Sequence, residues 1–134
     1  MDIGHLVGLM LDEHREPLRV CALDADVSSA LGSIATDVLL SFETIQKQMQ
    51  NHSDLTPEDY KALPLAIRFG EIRMQDERRA LILYTDIVLN MNFRTVLKAT
   101  KCGREVYCVS FNKLRDRHLK KDLRKPYAII RPHD

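Results

Sequence analysis

Ser41, Thr44, Lys47 and His52 punctuate the stretch "SFETIQKQMQNH". At about 100° per residue a helix there gathers Thr44, Lys47, Gln48 and Asn51 on one side, with Ser41 at its start and His52 near the border. Two hydroxyls, an ammonium and an imidazole suit phosphate chemistry without a metal. Cleavage of RNA by transphosphorylation needs a base for the 2′-OH, an acid for the 5′-oxygen and cations for the charged phosphorane. Histidine is the natural acid or base near neutral pH, so His52 is the candidate for that role, and Lys47 is a candidate for the phosphorane. Hydroxyls such as Ser41 and Thr44 would orient phosphate oxygens. The competing reading is a solvated helix face, with His52 at the end where the helix dipole favours a cation.

Two further sets could act on the same chemistry. In "FRTVLKAT" strand alternation puts Arg94, Val96, Lys98 and Thr100 on one side. Arg94 and Lys98 are therefore candidates to grip a phosphate, with Ser110 on a neighbouring strand. The alternative is an edge strand kept soluble by its charges. The segment "NKLRDRHLKKDLRK" carries seven Lys and Arg and one His against two Asp. Lys113, Arg117 and Lys120 would there follow a nucleic-acid backbone, and His118 is a second acid–base candidate, with Glu105 another. Otherwise the segment is a solvated helix with pairs such as Asp116 and Lys120.

The elements that must hold these residues are legible as changes of period. "HLVGLML" (His5–Leu11) and "LRVCALDA" (Leu18–Ala25) read as two strands of a hairpin around "DEHREP". "DVSSALGSIA" reads as a short helix capped by Asp26 or Ser28 and broken at Gly32, and "TDVLLS" as a short strand. Phe42, Ile45 and Met49 form the apolar stripe of the following helix. Thr56, Pro57 and Asp59 make a capping-box start to another helix, bent or split at Pro64 and closed at Gly70 in the left-handed conformation. After Gly70 the period becomes two. "EIRM", "ALILYTD", Phe93–Thr100 and Glu105–Phe111 read as strands, with Gly103 free to take a positive φ in the turn "KCGR". A helix from Asn112 to about Arg124 and a last strand in "PYAIIRP" complete an α+β order.

The 134 residues are the usual size of one domain. No apolar run reaches the roughly 18–20 residues of a membrane span. "MDIGHLVGLMLDEH" lacks a basic n-region and a small-residue cleavage site, so no secretory signal is expected. Cys21, Cys102 and Cys108 have no metal spacing and suit a reducing cytoplasm. No P-loop, GxGxxG, HExxH or GxSxG motif is present, and Asp24–Ala25–Asp26 is a weak metal signal, so neither metal nor cofactor is expected. The net charge of +1 conceals an asymmetry: 8 Lys and Arg against 15 Asp and Glu in residues 1–93, and 12 against 4 in residues 94–134. Unless the halves interleave in space, a basic surface suited to nucleic acid follows.

"LLSFETIQKQMQNHSDLTPEDYKALPLAIRFGEI" and "RTVLKATKCGREVYCVSFNKL" together resemble the phage-associated group of the barnase–EndoU–colicin E5/D–RelE nuclease superfamily. The resemblance covers residues 38–131 and leaves 1–37 as an N-terminal hairpin extension of a single domain, 1–134. It implies short helices followed by a mainly antiparallel sheet of about four strands. It also implies a metal-independent ribonuclease, often a toxin, with Ser41, Thr44, Lys47, His52, Lys98 and Ser110 at the motif positions. The expected partners are RNA and an acidic inhibitor protein. A nucleic-acid or phage-protein binding module of that fold without catalysis is the alternative, and an ADP-ribosyltransferase-type effector is a third, weakened by the lack of an ExE pair.

Overall fold

Asp2 caps the first element: its carboxylate accepts the His5 backbone N–H at 3.0 Å. Leu6 and Leu9, three residues apart, then turn inward and are fully buried, which makes Ile3–Met10 a helix, α1. The strand expected at His5–Leu11, and with it the N-terminal hairpin, is therefore corrected. An almost wholly apolar run does not separate strand from helix by periodicity, and the Asp2 cap decides the matter.

The computed structural model describes residues 1–52 and 54–132. After α1 come β1 (Leu18–Ala22), α2 (Ala25–Ala30), β2 (Asp37–Leu40), α3 (Phe42–Asn51), a 3-10 turn (Asp59–Lys61) and α4 (Ala62–Phe69). They are followed by β3 (Glu71–Met74), β4 (Arg79–Asp86), β5 (Met91–Ala99), β6 (Val106–Leu114), α5 (Asp116–Leu123) and β7 (Ala128–Arg131). The described strands form one mixed seven-stranded sheet in the order β1-β2-β6-β5-β4-β3-β7.

This architecture corrects the expected barnase/RelE-like sheet of about four antiparallel strands. The chain runs β3 to β6 as an antiparallel meander, which brings β6 alongside β2 in parallel, Val38 facing Val106 and Leu39 facing Tyr107. β1 then extends the sheet beyond β2, and β7 extends it beyond β3. Residues 1–37 are not an appendage, because Leu6, Leu9, Leu18, Val20, Leu23, Val27 and Leu31 all join the main core.

That core lies between the sheet and helices α1 to α4. At its centre Phe93 stacks on Phe111 with centroids 5.4 Å apart, and Tyr60 lies 5.1 Å from the same Phe111 ring. A smaller cluster on the other face of the sheet joins Leu81, Leu83 and Val96 to Leu114, Leu119 and Tyr127.

Local differences from the sequence reading have local causes. α3 buries Ile45 and Gln48, not Met49, because the Gln48 amide donates to the Phe111 carbonyl on the part of β6 that β2 leaves unpaired. β6 runs on to Leu114, displacing the start of the expected Asn112 helix, because Asn112–Leu114 find ladder partners in Asn92–Arg94. Thr56 and Asp59 do exchange capping-box bonds, and Pro64 sits in the first turn of α4, where its missing N–H costs little. Gly70 is extended (φ −70°, ψ 162°), not left-handed, while Gly103 takes φ +71° in its turn.

Candidate nucleic-acid interface

The β3–β4 turn and the β5–β6 turn lie at the same end of the meander. Arg79 pairs with Lys98 and Lys98 with Tyr107, so Arg78, Lys98, Lys101 and Tyr107 converge there. The N-terminus of α3 closes the other side. Together they line a cavity of about 640 Å³ whose wall includes Ser41, Glu43, Thr44 and Thr100, with Arg15 and Pro17 from the segment before β1.

The electrostatics follow from who is already paired. Arg15 donates to Asp12 at 2.8 and 3.0 Å and lies 4.6 Å over the Phe42 ring. Among the described residues Arg78, Lys98 and Lys101 make no ion pair, and Glu43 is the one carboxylate that lines the cavity. Within residues 1–93 Asp12, Asp37, Glu58, Glu71 and Asp76 hold Arg15, Arg19, Lys61, Arg73 and Arg79, and leave Arg78 free of an ion pair among the described residues. Cations from both halves of the chain therefore meet at one cavity.

Ser41 and Thr44 have a structural task there. The Ser41 hydroxyl accepts the Thr44 N–H at 3.1 Å and donates to Thr44 Oγ1 at 3.1 Å, capping α3. The Tyr107 hydroxyl donates to Glu105 Oε2 at 3.2 Å. Burial, then the charges of Glu105 and Glu43, push its phenol above the ordinary value, so it stays protonated at neutral pH.

The remaining sequence candidates lie elsewhere. His52 is the C-cap of α3 and lines a separate cavity of about 240 Å³ with Met10, Gln48, Met49, Leu55 and Tyr60. The ten-residue helix α3 puts it roughly 15 Å from Ser41. Lys47 is exposed on α3 and does not line the large cavity. Arg94 shares the outer face with Lys98 but lies about 13 Å along the strand, too far to grip the same phosphate. Its guanidinium is bound at 3.1 Å to Asp122 of α5.

Asp122 is buried and also takes Lys125 at 2.9 Å. Arg73, itself paired with Glu71 at 2.6 Å, donates to the Leu123 and Lys125 carbonyls, and Asn92 donates to Asp116 at 2.6 Å. α5 is thus latched over the sheet largely by polar bonds. Ser110 stands at a bulge, where its carbonyl accepts the Thr95 hydroxyl at 2.6 Å. Lys113 reaches Asp59 at 3.1 Å and is tied to the capping box of the 3-10 turn. Arg117, His118 and Lys120 are exposed on α5.

Arg78, Lys101, Glu43 and Tyr107 are cavity residues that the sequence reading did not select. Their signal was available in outline: in a four-strand meander alternate turns share one end, which places "QDERR" beside "KCGR".

Among the described residues no three or more His, Cys, Asp and Glu gather as metal ligands, and no helix is long and apolar enough to cross a membrane. No protein-family model matches the chain, and neither a curated protein nor a solved structure is similar to it.

Proposed function

We propose that the chain is an RNA-binding protein that holds phosphodiester groups in the cavity between the α3 N-terminus and the β5–β6 turn. The observation that carries this reading is the convergence of Lys98, Arg78 and Lys101, none of them in an ion pair among the described residues, around one cavity lined by hydroxyls. Unpaired cations keep their full attraction for phosphate, and hydroxyls supply hydrogen bonds without adding negative charge.

Metal-independent cleavage of the bound RNA is the second reading, favoured by Glu43. A carboxylate in the same cavity as Lys98 could take the 2′-OH proton as the 2′-oxygen attacks phosphorus, with the Lys98 ammonium giving a proton to the leaving 5′-oxygen and Arg78 and Lys101 meeting the phosphorane charge. His52 lines the other cavity, so a role for it in that step requires α3 to move.

The test is titration of a fluorescently labelled RNA by anisotropy at several salt concentrations, with a gel for products in excess EDTA. Binding should weaken steeply with salt, and Lys98→Ala should lower both the affinity and the salt slope. Affinity untouched by Lys98→Ala and by Arg78→Ala would remove this cavity from consideration. Product that survives chelation and vanishes in Glu43→Gln would establish the cleavage reading. Product lost in His52→Ala alone would move the chemistry to the C-terminal end of α3.

A further inference from the structure

The lining of the cavity combines apolar surface with cations. Tyr107 and Val109 on β6, Ala99 at the end of β5 and Pro17 supply apolar surface, and Val109 is 36% exposed. Lys98 and Tyr107 stand directly opposite each other in the antiparallel ladder, which holds their Cβ atoms about 5 Å apart. The hydroxyl of Tyr107 donates to Glu105, two residues back in the β5–β6 turn. That bond tethers the ring at this end of the sheet. A tethered aromatic ring one cross-strand step from an ammonium matches the unit of a nucleic acid, a flat base joined through its sugar to a phosphate. The volume of about 640 Å³ falls within the roughly 300–1,000 Å³ of small-molecule sites.

A duplex does not satisfy this arrangement. Its base faces are stacked on one another and only its phosphates and groove edges are available, so it would meet the cations and leave the apolar surface uncovered. Unpaired nucleotides expose both groups, and stacking on an aromatic side chain is how single strands are commonly held.

We infer that the cavity takes an unpaired nucleotide of a single-stranded nucleic acid, its base stacked on Tyr107 and its flanking phosphates held by Lys98, Arg78 and Lys101. The inference rests on the proposed RNA-binding reading and narrows its ligand. It makes Tyr107 the residue that separates single strands from duplexes, while the cations attract both.

The experiment compares one labelled 12-nucleotide RNA, single-stranded and annealed to its complement, by anisotropy at a single salt concentration. It uses the full chain as wild type, Tyr107→Leu, Tyr107→Phe and Lys98→Ala, with circular dichroism to compare their folds. The expected result is tighter binding of the single strand. Tyr107→Leu should cost the single strand roughly tenfold in affinity and leave duplex binding unchanged. Tyr107→Phe, which keeps the ring, should retain most of the single-strand affinity. Lys98→Ala should weaken both ligands.

Equal affinity for the two ligands, or no effect of Tyr107→Leu, overturns the inference. If Lys98→Ala still weakens binding in that case, the RNA-binding reading stands without the stacking site. If wild type binds neither ligand, both fail. Should Tyr107→Leu lose its fold, Tyr107→Phe and the wild-type preference for single strands decide the outcome.

Discussion

Gly70 shows what a single residue contributes at the junction of α4 and β3. Its backbone angles are open to any amino acid, so conformational freedom is not why glycine is there. A Cβ at this position would lie 2.6 Å from the Ala66 carbonyl oxygen, 2.8 Å from Ile82 Cγ2 and 3.0 Å from the Leu83 carbonyl oxygen. Two of these contacts are backbone atoms of elements that cannot shift independently. Gly70→Ala should therefore destabilise the fold by about 1–3 kcal/mol, read as a lower urea midpoint with an unchanged slope. A neutral result would mean that α4 and β4 part more easily than their packing indicates. Gly103 is the contrasting case. It takes φ +71°, and a Cβ there would lie 2.6 Å from the Gly32 carbonyl oxygen, so conformation and space both select glycine. The sequence pointed to the conformation through the turn "KCGR"; the contact with Gly32 was invisible without the fold.

At the scale of an element, the 3-10 turn before α4 is stabilised by a capping box whose acid has a second partner. Asp59 accepts the Thr56 N–H at 2.8 Å and the Lys113 ammonium at 3.1 Å. Burial pushes its carboxyl up, but the Thr56 N–H, Lys113 and the Thr56 hydroxyl together hold it below its ordinary value of 3.8. A carboxyl whose folded pKa lies below its unfolded one stabilises the fold above the unfolded value. That stability is lost as the pH falls through the folded value. The thermal midpoint of Asp59→Asn should therefore fall short of wild type at neutral pH, and the gap should close as the pH drops below 3.8. A gap that stays constant across that range would assign the loss to hydrogen-bond geometry and not to charge. The capping box was legible in "TPEDY", because it is a local bond between residues three apart. Lys113, drawn there from β6, was not.

For the molecule as a whole, the question is whether residues 1–37 are an attachment or part of the fold. They supply β1 and two helices, and seven of their aliphatic side chains are buried in the main core. Each fully buried aliphatic chain is worth about 1.5–3 kcal/mol, so their sum is comparable with the roughly 5–15 kcal/mol by which native domains are stable. A chain of residues 38–134 should accordingly show no cooperative thermal transition in circular dichroism. A sharp transition near the wild-type midpoint would restore the attachment view. The same scale accounts for the cavity. Its cations come from the β3–β4 and β5–β6 turns, from β5 and from the segment before β1, so no stretch of the sequence displays it as a motif.

By itself the sequence determined most of the local order. The period of two after Gly70, the Thr56 and Asp59 capping pair and the start of α3 after Ser41 all follow from interactions within a few residues, and all are present. The tertiary structure decided which strands became neighbours. Parallel pairing of β2 with β6 joins residues far apart in the chain, and hydrophobic alternation records which face of a strand is buried but not which strand lies beside it. It also decided the fates of like residues. Lys98 and Arg94 carry the same charge on the same face of β5, yet Lys98 opens onto the cavity and Arg94 is bound to Asp122. The difference lies in what packs above each side chain, which depends on where α5 crosses the sheet.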